Sequence, residues 1–147
     1  MNQEKNSLRL MRILLRSSNS VMQMLKKNME SFGLNATEFM TLELLYHKGP
    51  QLAQAISREI LMASSSITYA VDCLVKKSYV QRDVCAEDRR KIYISLTENG
   101  KQLMDEIFPF HSIEICRLFE DLSADEIDEL ANDLKAIGLR AQEMQKR

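Results

Sequence analysis

Residues 63–97, ASSSITYAVDCLVKKSYVQRDVCAEDRRKIYISLT, restrict the fold more than any other part of the chain. Ile67, Ala70, Val71 and Leu74 recur at steps that mark one face of a helix. Ser64, Ser65 and Ser66 stand just before that face and read as its start signal. Ser65, Thr68, Tyr69, Asp72 and Lys76 fall on the opposite side, at about 100° per residue, giving a face of short polar groups that ends in a cation. Two alternating segments follow. Val80 and Val84 share one face of the first, and Ile92, Ile94 and Leu96 share one face of the second. The polar tip between them carries three consecutive cations, Arg89, Arg90 and Lys91.

A helix followed by a hairpin with a basic tip predicts a winged helix-turn-helix. Short polar side chains on the helix suit base edges in the major groove, and an arginine tip suits the negative potential of a narrow minor groove. The partner expected is double-stranded DNA. Candidate contacts are Ser64, Ser65, Ser66, Thr68 and Tyr69 in the major groove, with Lys76 and Arg82 near phosphates. In the tip they are Arg90 first, Arg89 second and Lys91, with Asp88 orienting the arginines by pairing to them.

A formal net charge of −1 is unhelpful to a DNA-binding chain if the charge is spread evenly. It is segregated. Residues 76–91 hold six cations (Lys76, Lys77, Arg82, Arg89, Arg90, Lys91) against three anions, whereas residues 120–133 hold seven anions and no Lys or Arg. Phosphate contact depends on the local face alone. Four Gly and two Pro leave few loops, so a mainly α chain with a small β-hairpin wing is expected. Three widely spaced cysteines exclude a disulfide framework, and the absence of an export signal or of an apolar run of membrane-spanning length predicts a cytoplasmic protein without membrane contact. Phosphate loops, nucleophile elbows and HExxH are absent, so no enzyme and no cofactor is expected.

The flanks carry a different pattern. Leu8, Met11, Leu15, Ser18, Met22, Leu25, Met29 and Phe32 recur at alternating steps of three and four until Gly33 stops the helix. Asn35 with Glu38 opens a short buried helix that ends at Gly49-Pro50, and residues 51–61 form the first helix of the reading motif, with Met62 and Ala63 making the turn. Thr97 caps a further helix, which Pro109 should kink or break. Ser123 with Glu126 is a capping box, and Ile127, Leu130, Leu134, Ile137, Ala141 and Met144 form a second seam. Residues 1–34 and 98–147 are therefore expected to form a helical dimerisation region around a DNA-binding region, 35–97. Leu8, Met11, Leu15, Ile127, Leu130, Leu134, Ile137 and Ala141 are its candidate contacts. A symmetric homodimer sets two reading helices about one DNA turn apart, roughly 34–36 Å; an intramolecular hairpin of the two ends is the alternative.

Asp88-Arg89-Arg90, followed by Leu96-Thr97 and Gly100, resembles the wing and helix-start signature of the MarR (multiple antibiotic resistance) family of bacterial transcription regulators, and length and element order match along essentially the whole chain. The resemblance implies a homodimeric repressor that binds a palindromic operator and is released by a small phenolic ligand or by thiol oxidation. One departure is Ser78, where the family has glycine. Lys48-Gly49-Pro50-Gln51, Ile60-Leu61, Ser66-Ile67-Thr68-Tyr69 and Val71-Asp72 are similar to a subgroup responsive to hydroquinones and catechols, which points to a phenolic or quinone effector.

Three controls compete. Met side chains with Phe39, Tyr46, Phe108, Phe110 and Phe119 have the chemistry of a plastic apolar cavity, or of ordinary core. Cys73, beside the core stripe of the reading helix, and Cys85, at the base of the wing, are candidate redox thiols, though buried free cysteine is usually inert. Glu43, His47 and His111 are thin material for zinc, which wants three or four convergent ligands, and no metal is expected. A winged-helix adaptor that binds protein instead of DNA is the remaining alternative.

Overall fold

The computed structural model describes residues 2–146. They form two compact units that divide between Phe39 and Met40.

In the first unit, α1 (Asn2–Glu30) has a polar sequence with one apolar stripe, of which only Leu25 and Met29 are buried. Leu8, Met11 and Leu15 remain more than half exposed. Gly33 ends the helix at φ 70°, where an L side chain would be strained, and Leu34 N–H donates to Met29 O at 3.3 Å. The expected reciprocal cap is present: Glu38 N–H donates to Asn35 Oδ1 at 2.8 Å, and Asn35 N–H to Glu38 Oε1 at 3.3 Å. It opens α2 (Ala36–Lys48), most of which belongs to the second unit.

The second unit is built around a small antiparallel sheet with strand order β1-β3-β2. β2 (Val80–Val84) and β3 (Ile92–Leu96) form the hairpin, in register Val80↔Leu96, Arg82↔Ile94 and Val84↔Ile92. The outer strand β1 (Gln51–Leu52) pairs Gln51↔Ile94, in a segment expected to be wholly helical. Two residues show no periodicity, and only the partner strand reveals them as β. Next come α3 (Ala53–Ile60) and α4 (Ser64–Lys76), whose Ile56, Ile67, Val71 and Leu74 are essentially inaccessible together with Ile94 and Met104.

Thr97 caps α5 (Glu98–Leu118), its hydroxyl accepting from Gly100 N–H at 3.1 Å. Gly100 lies so close to the hairpin root that a Cβ there would stand 2.0 Å from Tyr79 O. Of the kink or break expected at Pro109, the break does not occur: α5 runs through it to Leu118. Proline removes one helical donor, and packing by Met104 and Ile107, both buried, on the preceding turns holds the helix together.

The Ser123–Glu126 box is formed and opens α6 (Ala124–Gln145), which buries no residue. Its seam residues Ile127, Leu130, Leu134 and Ile137 are 38–44% exposed. Lys135 reaches Glu59 of α3 at 3.7 Å, and a Cβ on Gly138 would meet the Leu61 side chain at 2.6 Å. No helix among the described residues is long and apolar enough to cross a membrane.

Candidate nucleic-acid interface

Helices α3 and α4 are joined by three residues, and the turn is made otherwise than the sequence suggests. Leu61, not Met62 or Ala63, takes the left-handed conformation, at φ 55°. Ser57 Oγ donates to Met62 O at 2.5 Å and ties the turn back to α3. The residue that precedes α4 in extended conformation is Ala63, with no side-chain cap, so the serines form the first turn instead of capping it. Ser64 and Ser65 are exposed and Ser66 is half-buried.

Burial divides α4 as the apolar spacing predicts. Ile67, Ala70, Val71 and Leu74 face the core, while Thr68, Tyr69, Asp72 and Lys76 are exposed, Tyr69 by 69%. Thr68 Oγ1 donates to Ser64 O at 3.0 Å, a back-bond to the preceding turn that holds the hydroxyl on the exposed face. The C-terminus closes through Ser78 at φ 64°, with Ser78 N–H donating to Val75 O and Tyr79 N–H to Leu74 O. This paired closure ordinarily uses glycine. Thr97 Oγ1 donates to Ser78 O at 2.5 Å, tying the end of α4 to the start of α5.

The wing tip is an ordered turn: Lys91 N–H donates to Asp88 O at 3.0 Å, and Cys85 N–H to Lys91 O at 2.9 Å. Asp88 does organise it, since its Oδ1 accepts from Arg90 N–H at 3.1 Å and from Arg90 Nε at 3.2 Å. Arg90 remains 92% exposed, and Arg89 and Lys91 are exposed beside it. The guanidinium of Arg82 is ion-paired with Asp72 of α4, a link between reading helix and wing that sequence spacing did not indicate.

Backbone N–H groups of Asp88 and Glu87, with Lys91 nearby, hold the half-buried Cys85 thiol below the usual cysteine range. Cys73 is half-buried and Cys116 exposed. The proposed metal set does not converge: His47 packs edge-on against Phe108 at 4.6 Å, and His111 Nε2 lies 3.9 Å from Glu43. Among the described residues no group of three His, Cys, Asp or Glu is placed to hold a metal. Of the suggested cavity aromatics, Tyr46 and Phe108 pack on each other at 5.6 Å, and Tyr46 donates to Asp105 Oδ1 at 2.5 Å; Phe110 is 70% exposed.

This arrangement can be compared with known proteins. The MarR family's sequence model matches residues 34–92, a span that takes in the helix-turn-helix and most of the wing. The transcriptional regulator MhqR of Bacillus subtilis (strain 168) is 42% identical over 139 residues, covering 95% of this chain and 96% of its own length. The chain belongs to the MarR family. The uncharacterised regulator YkoM of the same organism is 36% identical over 140 residues, covering 95% of this chain and 91% of YkoM. Among solved structures, overoxidised AbfR bound to DNA superposes with a TM-score of 0.73 at 25% identity, over 93% of this chain and 99% of that one. As a member of the MarR family the chain is a DNA-binding transcription regulator and not an enzyme, which displaces the adaptor alternative.

Proposed function

We propose that this MarR-family regulator is a repressor that acts as a homodimer on a palindromic operator and is released by a small phenolic or quinone-like effector. The observation that carries the DNA reading is the exposure of Ser64, Ser65, Thr68 and Tyr69 on α4 together with that of Arg89, Arg90 and Lys91 on the wing. Half-buried Ser66 and exposed Lys76 are the further candidates on α4. Residues 35–97 are its DNA-binding region, and residues 1–34 and 98–147 its dimerisation region. The dimer reading rests on two apolar stripes, on α1 and α6, that the single chain leaves exposed. The effector reading rests on the resemblance of residues 48–51, 60–61 and 66–72 to the catechol-responsive subgroup.

The test is selection of duplexes from a random pool, followed by anisotropy titration across ionic strength. A two-fold symmetric site with half-sites about 10 bp apart is expected, with affinity falling steeply in salt. Failure to bind any duplex at low salt overturns the proposal. Catechol or hydroquinone should then release the selected duplex.

The cradled thiol of Cys85 favours a second reading, control by thiol chemistry at the wing. Its alkylation should outpace that of a free thiol at the same pH, and Cys85→Ser should abolish release by an electrophilic quinone while leaving release by a non-electrophilic phenol intact. Equal responses of wild type and Cys85→Ser to the quinone would remove the thiol from the account.

A further inference from the structure

We infer that the Asp72–Arg82 ion pair is a positioning device that sets the wing against the reading helix, and that Arg82 acts on DNA through this link and not by holding a phosphate. The inference rests on the DNA-binding reading above.

Along β2 the side chains alternate, so Val80, Arg82 and Val84 share a face. Val80 is 2% exposed and anchors the root of the strand in the core. Val84, four residues on, is 59% exposed, and its cross-strand partner Ile92 is 40% exposed. Apolar packing therefore fades between the root and the tip, and Arg82 stands at the crossover. From there it reaches Asp72, on the exposed side of α4 one turn before Lys76. The planar guanidinium is a directional donor, and its pairing to a carboxylate on another element fixes the angle between the two. That angle matters because the tip cations lie beyond Val84, where a small rotation at Arg82 becomes a larger displacement of Arg90.

The two roles for Arg82 predict opposite signs at Asp72. If Arg82 simply held a phosphate, Asp72 would compete for its charge and repel the backbone, so removing the carboxylate would strengthen binding. If the pair positions the wing, removing either partner weakens binding. An exposed pair contributes modestly to stability: the side chains of Arg82 and Asp72 are 36% and 51% exposed. The variants therefore remain folded, and thermal melts serve as the check.

The experiment uses the full-length protein and the duplex recovered by selection, with wild-type binding as the control for the DNA reading itself. Asp72→Asn and Arg82→Met should each lower affinity about threefold to tenfold, and the double variant should lose no more than the worse single, as coupled residues do. Asp72→Asn should leave the dependence of log affinity on log salt unchanged, because no phosphate contact is lost; Arg82→Met should likewise leave it unchanged, whereas loss of a phosphate contact lowers the slope by about 0.9. The reversed pair, Asp72→Arg with Arg82→Asp, should bind better than the average of its two singles. Tighter binding by Asp72→Asn, a slope reduced by Arg82→Met alone, or additive losses in the double variant would each overturn the positioning role. Failure of the wild type to bind any duplex would instead strike the DNA reading on which it stands.

Discussion

Replacing Leu8 and Leu15 together by alanine should turn the proposed dimer into a weakly associating monomer without unwinding α1. Both leucines lie on the solvent side of the helix in the single chain, 57% and 63% exposed. Leu→Ala removes three carbon groups, at about 0.8 kcal/mol each when fully transferred from water, so a leucine with some three-fifths of its surface still to bury loses about 1.4 kcal/mol. Two-fold symmetry counts each change twice, and allowing for incomplete burial the interface loses about 4 kcal/mol, or about a thousandfold in the dimer Kd. Alanine is the best helix former, so circular dichroism should be unchanged and the loss is assignable to association. Sedimentation velocity across a dilution series measures the midpoint directly. If the double variant dissociates at the wild-type concentration, the α1 stripe is not an interface and the seam reasoning fails.

Arg90→Ala should reduce affinity for the selected duplex about tenfold and lower its salt slope by about one, with an unaltered melting temperature because the side chain is 92% exposed; unchanged binding removes the wing tip from the interface. Ser78→Gly should stabilise the fold by about 0.5–1 kcal/mol, since relief of a left-handed Cβ, about 1–2 kcal/mol, outweighs the added freedom of the unfolded chain; chemical denaturation checks it, and a loss of stability would contradict the closure described for α4. Burial lowers the His111 imidazole below its ordinary value, Glu43 opposing. Its contribution to stability is therefore full above about pH 6.5 and declines as pH falls from there through the lower folded value. An NMR titration midpoint at or above the free-imidazole value would refute this.

Much of the local structure follows from residue identity and spacing. The Asn35–Glu38 and Ser123–Glu126 boxes, the Thr97 cap, the division of α4 into a core face and an exposed face, and the Asp88-ordered tip all depend on groups within four residues of one another, where helix and turn geometry leaves few alternatives. The interface legible in the sequence is therefore the part carried by one helix and one turn.

Other features required the chain to be folded. β1 exists because β3 offers it hydrogen bonds, and Gln51-Leu52 alone has no strand character. Leu61 takes a conformation that its side chain disfavours because the turn from α3 to α4 demands it there. Pro109 stays within α5 because packing outweighs one missing donor. Arg82 meets Asp72 across ten residues, through a register and a helix orientation that no local rule encodes. Composition and spacing thus determined which elements form and which faces they expose, because those choices are local; tertiary structure decided which charges meet, because only folding brings separate elements together.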